Sequence, residues 1–280
     1  MLLSDTNSAA RTLFRSKPIP NSRQDRILGA LLGAAIGDVM GNAISGLNQD
    51  VRKERYGEWG VSAPPYEAAI SHYFQLALFA LDSIIVNTQK SKKLSVSEIS
   101  TCLIKCVKEW EVVVNHPKLF HGINHLSDRN SVCSDFMKNY PLWKLNRPGK
   151  NTKIISKKDN INALYLALLL CANEKTLIEV SSDLSKYFDN YSSEIDLLKY
   201  SRLFSSNEII NKETKVKGLS EMCEQINSSS KPELTGIFAG FEHGAKYGIQ
   251  GFKQIWYLRI DATNLCEQMG WLVGRTIKSF

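Results

Sequence analysis

The chain has 280 residues, 43% of them hydrophobic and 22% charged, the make-up of a protein that buries a sizeable core rather than of a disordered chain. Its net charge of +7 is moderate and spread over 52–55, 90–93 and 144–158, without the interleaved aromatics of a single-strand nucleic-acid binder. No uninterrupted apolar run reaches the roughly 18 residues of a membrane helix; the longest, 27–36 and 163–172, have the length of buried core helices. Neither a nucleic acid nor a membrane is therefore expected as a partner.

The first 26 residues carry Ser, Thr, Arg and Pro around no long apolar core, so they do not make a secretory signal. Residues 1–24 are expected to form a flexible tail, with an Arg- and Ser-rich transit peptide as the alternative, and 25–280 a single helical domain. At 29–43, "GALLGAAIGDVMGNA" sets Gly29, Gly33, Gly37 and Gly41 one helical turn apart. Each glycine costs a helix about 1 kcal/mol relative to alanine. The row forms a shallow stripe down one face, where a neighbouring backbone can approach more closely than larger side chains permit.

Ser95 and Glu98 have the spacing of a capping box. It opens a helix whose Val96, Ile99, Leu103, Cys106, Val107, Trp110 and Val114 share a face, and His116-Pro117 ends it. His116, His121 and His125 then cluster, but Pro117 and Gly122 interrupt any helix there and only Asp128 offers a nearby acid, so the cluster reads against a metal site. The basic stretch 144–158 has the composition of a solvated loop. Asp159 can cap the segment 160–174, apolar on nearly every side and hence central. Further helices are expected at 175–187, 193–204 and 262–277. A second glycine row, Gly236, Gly240, Gly244 and Gly248, repeats the spacing of four near the other end; Asp38, Glu242, His243 and Lys246 distinguish both rows from the small-residue stripes of membrane helices.

The six cysteines (Cys102, Cys106, Cys133, Cys171, Cys223 and Cys266) include no CxxC pair. They read as reduced, packed thiols of a cytoplasmic protein, Cys102 and Cys106 at helical i,i+4 spacing included. Helical periodicity dominates and no series of alternating strands stands out, so the expected fold class is all-α, a compact multi-helix bundle.

"RILGALLGAAIGDVMGNA" (26–43) resembles the opening helix of the ADP-ribosylglycohydrolase family, which carries a G-x-x-x-G-x-x-x-G-D-x-x-G segment. "SHYFQLALFALDSII" (71–85) occupies the place of the family's T-D-D-T-Q and its helix. "KPELTGIFAGFEHGAKYG" (231–248) resembles the family's D-T-D-T followed by a small-residue helix. The resemblance covers about 25–275. It implies an all-α orthogonal bundle that removes ADP-ribose from proteins with two magnesium ions held by the acidic motifs. In this chain, Ser71, His72, Tyr73 and Phe74 stand where the first motif has its threonines and aspartates, with Gln75 retained. Lys231, Pro232, Glu233 and Leu234 stand where the second has its Asp-Thr pairs.

Magnesium takes near-octahedral oxygen ligands with one or more carboxylates, and two such ions lie only about 3.5–4 Å apart. Of the matched positions Glu233 alone offers a carboxylate. An ammonium such as Lys231 about 4 Å from a divalent ion is repelled by about 8 kcal/mol at an effective dielectric near 20. His72 suits zinc or copper rather than magnesium. The two-magnesium site is accordingly expected to be lost, leaving no cofactor and no catalytic residue, and a vestigial cleft of Asp38, Ser71, His72, Tyr73, Gln75, Lys231 and Glu233. Each has a structural reading beside a ligand-binding one: a hydrogen-bonding role for Asp38, cavity filling for His72 and Tyr73, and for Glu233 the first turn of a helix opened by Pro232, where a carboxylate meets the positive dipole end. No phosphate loop, nucleophile elbow or His-Glu-x-x-His supplies another chemistry. The resemblance then implies a protein that works by binding: an immunity protein that covers the active site of an ADP-ribosyltransferase toxin, with 144–158 and the N-terminal tail as contact surfaces. The alternatives are a pseudo-hydrolase that binds ADP-ribose as a regulator, and a hydrolase rebuilt around Glu233 and Asp38.

Overall fold

Ser22 starts the first helix by accepting a hydrogen bond from the Asp25 N–H, the service a short hydroxyl performs where helix N–H groups lack partners. The structure is a computed structural model that describes residues 18–66, 69–91, 93–115, 131, 133, 157–188, 196–204 and 212–277. In chain order its helices are α1 (Arg23–Ile44), α2 (Gln49–Tyr56), α3 (His72–Ser91), α4 (Val96–Asn115), α5 (Lys157–Cys171), α6 (Glu174–Tyr187), α7 (Leu197–Ser201), α8 (Lys212–Ser228), α9 (Pro232–Tyr247), α10 (Gln254–Tyr257) and α11 (Thr263–Thr276), with 3-10 turns at Arg202–Phe204 and Gly248–Gly251. No strand occurs among the described residues, so the fold is all-α. The helices gather into two compact units: Met1–Phe74 with Leu203–Trp271, and Gln75–Arg202 with Leu272–Phe280.

In the first unit the two glycine rows meet each other. A Cβ added to Gly29 would collide with the backbone of Gly244, one on Gly33 with Gly240, one on Gly37 with Gly236, and one on Gly41 with Pro232. The collisions are mutual for the three glycine pairs. α1 and α9 therefore run antiparallel, backbone on backbone, in a register fixed one turn at a time, close enough for weak Cα–H···O contacts to add to the packing. The propensity lost at each glycine is offset by this approach. Gly248, at φ +64°, ends α9 where any side chain would strike the Asp25 carboxylate. Asp25 in turn accepts from the N–H groups of Asn21 (2.9 Å) and Ile249 (3.1 Å), and so ties the start of α1 to the turn after α9. By length and composition α1 would cross a bilayer, which a search for uninterrupted apolar residues overlooks because Asp38 and Asn42 break the run; 89% of its most apolar window is buried within the chain, as in a core helix. At the edge of this unit the Asn227 side-chain amide bonds both the N–H and the C=O of Val61 at 2.9 Å, which fastens the 57–61 loop to α8.

In the second unit the capping box forms as expected: the Glu98 carboxylate accepts from the Ser95 N–H at 2.7 Å, and the Ser95 hydroxyl accepts from the Glu98 N–H at 3.3 Å. The α4 face from Ile99 through Leu103, Cys106 and Val107 to Trp110 is buried, and Trp110 packs on Phe79 with ring centroids 5.6 Å apart. α5 is buried on all sides from Asn160 to Cys171. Its ends differ from expectation. It begins at Lys157, so Asp159 lies in the first turn rather than at the cap, and it stops at Cys171, because Asn173 caps α6 instead, accepting from the Thr176 N–H. The helix expected over 193–204 is the short α7, capped by Asp196, continued by the 3-10 turn. All six cysteines are free thiols. The stop at His116-Pro117, the group His116, His121, His125 and Asp128, the tail through residue 17 and the basic residues 144–156 lie outside the described residues.

Candidate functional site

The last rail pair positions the site. Because Gly41 lets Pro232 press against α1, with the Glu233 amide nitrogen only 2.7 Å from where a Gly41 Cβ would stand, the first turn of α9 lies directly over the C-terminal turns of α1. Asp38, next to Gly37 and fully buried, sits beneath it. The segment before α3 is drawn to the same place: Asn42 Nδ2 donates to the Ala69 carbonyl at 2.9 Å, and Ser71 delivers two hydrogen bonds to the carboxyl of Asp38, from its N–H to Oδ2 at 2.6 Å and from its hydroxyl to Oδ1 at 2.5 Å. The same hydroxyl accepts from the Phe74 N–H at 3.4 Å, so Ser71 caps α3 and clamps Asp38 at once.

Burial pushes the Asp38 carboxyl up to about 8; the two Ser71 bonds pull it back, and the negative charge of Glu233 pushes it up further. Asp38 therefore holds a proton near neutrality and acts as a neutral partner of Ser71. His72 and Tyr73, half-buried at the start of α3, pack against each other with ring centroids 3.7 Å apart and planes tilted by 44°. Lys231 occupies the N-cap of α9 without a side-chain capping bond, Pro232 opens the helix and Glu233 falls in its first turn. A hydroxyl pair, Ser229 and Thr235 at 2.6 Å, closes that turn while Ser229 also accepts from the Lys231 N–H. Thus Asp38, Ser71 and Glu233 are brought together, His72 and Tyr73 follow Ser71 along α3, and Lys231 and Glu233 share one helix start. Gln75 is buried and belongs to the second unit.

Several buried titratable groups carry no sequence motif. Glu267 on α11 has its carboxyl raised to about 7 by burial, and the thiol of Cys266 is pushed up by burial and by the charge of Asp38. Nothing in the pattern of α11 marks either one. Asp25 could have been found, since Ser22-x-x-Asp25 has capping-box spacing before an apolar run. Asp82, fully buried in the second unit, accepts from the Ser131 hydroxyl at 2.7 Å, a contact across 49 residues that no local pattern reveals.

An all-α scaffold with a Gly-Asp step on its central helix, facing the start of a second small-residue helix, defines the class. The chain matches the family model of ADP-ribosylglycohydrolase over residues 19–186, more than half its length, and it belongs to that family. The match ends before α9. No curated protein and no solved structure matches the chain. Tested against the family's two magnesium ions, the donors at the matched positions are two carboxyls, a hydroxyl, an amide, an imidazole, a phenol and an ammonium, and each oxygen of Asp38 already accepts a bond from Ser71. That set does not fit the shell of carboxylate oxygens and water that magnesium takes. Among the described residues no group of three or more His, Cys, Asp or Glu side chains is placed to hold a metal ion.

Proposed function

We propose that this chain is a catalytically inert member of the ADP-ribosylglycohydrolase family that acts by binding protein, as an immunity protein covering the active site of an ADP-ribosyltransferase toxin. The observation that carries the proposal is the Ser71 clamp. The acid beside the former cleft is buried, protonated near neutrality and bonded through both oxygens to the residue that replaces a family motif position. A carboxyl so held serves the fold, joining α1 to the start of α3, whereas steric blockade needs only a complementary surface. Loss of the metal ligands leaves such a role intact, because function resides in the site and not in the scaffold. The six free thiols support placing it in a reducing compartment, the cytoplasm.

Stoichiometry tests the proposal. The chain is titrated into a cognate ADP-ribosyltransferase domain acting on its protein substrate, with magnesium present. A blocker stops label incorporation at one chain per toxin and co-elutes with it in gel filtration, while a hydrolase reverses the label at far lower ratios. Reversal at substoichiometric amounts, lost in Glu233→Gln, would replace this reading with the rebuilt hydrolase. Calorimetric binding of free ADP-ribose without any toxin complex would replace it with the regulatory pseudo-hydrolase.

A further inference from the structure

In the second unit, the C-terminal half of α3 and the N-terminal half of α4 border an open groove of about 370 Å³, within the size range of small-ligand sites. Two cysteines line it, Cys102 and, one turn on, Cys106. Around the Cys102 sulfur stand two hydrogen-bonding groups. Ser83 Oγ lies 2.9 Å away and Asn87 Nδ2 donates from 3.7 Å, and the Cys106 thiol follows one turn on along the same helix. Asn87 is held in place by a second bond from the same nitrogen to the Ser83 carbonyl at 2.8 Å. Lys90, Lys105, Glu98 and Glu109 also line the groove, with Lys105 and Glu109 paired at 3.6 Å, so its walls present both charge signs.

We propose that Cys102 is a thiol-exchange site that takes a small zwitterionic disulfide from solution, the mixed charges of the groove meeting the ammonium and carboxylate groups of such a molecule. The Cys102 thiolate attacks one sulfur of the disulfide along its S–S axis. A new S–S bond joins Cys102 to one half, the old S–S bond breaks, and the other half leaves as a thiolate that takes up the proton lost by Cys102. Cys102 is oxidised and the departing half reduced, so the exchange needs no further oxidant. The neighbouring Cys106 thiol, with Ser83 and Asn87, lowers the Cys102 thiol below its ordinary value, against the opposing effects of burial and Glu109. Cys106 is fully buried and raised well above its own, so it remains a thiol and serves as a donor. This division of roles is how one cysteine of a pair becomes the nucleophile.

Cys223 on α8 is the internal reference: it is also half-buried, yet burial raises its thiol. The full native chain is incubated with oxidised glutathione at neutral pH, and the adducts are followed by intact mass and peptide mapping. Cys102 is expected to gain one glutathionyl group about tenfold faster than Cys223, and Asn87→Ala to slow Cys102 several-fold while Cys223 keeps its rate. The wild-type comparison alone decides the matter, so no variant has to fold. Equal rates, faster reaction at Cys223, or no adduct on Cys102 would overturn the proposal.

Discussion

The interlocked rails make a sharp prediction for Gly37→Ala. In an isolated helix this change is favourable by about 0.5–1 kcal/mol. In the folded chain the new methyl would stand 2.5 Å from the carbonyl carbon of Gly236 and nearer still to its oxygen, whereas relaxed contacts lie at about 3.5–4.0 Å. The obstacle is backbone, so relief comes only if α1 and α9 separate by about 1 Å, loosening the contacts one turn away at Gly33–Gly240 and Gly41–Pro232. Overpacking of this kind costs about 1–3 kcal/mol, and more where the backbone cannot yield. The net destabilisation is about 2 kcal/mol, a fall in melting temperature of about 4–8 °C. Gly270→Ala is the matched control. Its methyl meets first the Leu28 Cδ2, at 2.6 Å, the end of a side chain that can rotate, so the propensity gain survives and the melting temperature holds or rises. Far-UV circular dichroism melts of the two variants and the wild type read the difference. Gly37→Ala melting within about 1 °C of Gly270→Ala would refute the claim that backbone contact, rather than glycine content, organises this core. Adding Gly236→Ala to Gly37→Ala should cost less than the sum of the two single changes, because one separation relieves both.

Asp38 gives a pH prediction. Its folded carboxyl is raised to about 8 from 3.8, so the stability it contributes is full below about pH 4 and is lost as pH rises towards 8. Asp38→Asn, which imitates the protonated acid, should flatten that decline in urea midpoints taken from pH 4 to 8 and leave the chain folded at pH 7; an unchanged slope would mean that Asp38 is charged. Ser71→Ala removes one donor to a buried acid and the cap of α3, and should cost about 1–3 kcal/mol by urea titration. Magnesium chloride should leave the melting temperature where it is, while a real site would add about 1.4 kcal/mol at ten times its Kd. Lys231 places a cation at the positive end of α9 with no capping bond, so Lys231→Ser should raise stability by about 0.5–1 kcal/mol. If Lys231 is kept for a partner, the same change weakens toxin binding in the titration described above.

What the sequence discloses depends on how local the cause is. The glycine stripes, the Ser95–Glu98 capping box and the apolar face of α4 follow from spacing within one helix, and each is present. That the two stripes face each other did not follow, because nothing in either helix names its partner across some 200 residues. The ends of α5 were misplaced for a local reason: Asp159 and Asn173 are both cap-type residues, and the choice between them depends on where the flanking helix starts. At the site the identities were readable and the arrangement was not. Ser71 is an unremarkable serine until the fold lays it on Asp38, and Cys102 looks like any packed thiol until Ser83 and Asn87 arrive from another helix.

The division between fold and site has a physical origin in where each kind of residue stands. The rail positions meet backbone, which has no alternative rotamer, so they admit almost nothing larger than glycine. The positions matched to the family's acidic motifs stand at helix starts, Ser71 before α3 and Lys231 before α9, where the structural demand is a cap or merely an exit from the preceding loop. Serine at position 71 satisfies that demand, and its hydroxyl and N–H each donate to one oxygen of Asp38. A helix start is where a metal-binding carboxylate is easily placed, and for the same reason it is where one is easily replaced without disturbing the core. On the proposed reading, the scaffold is kept for its surface while residues at these helix starts change.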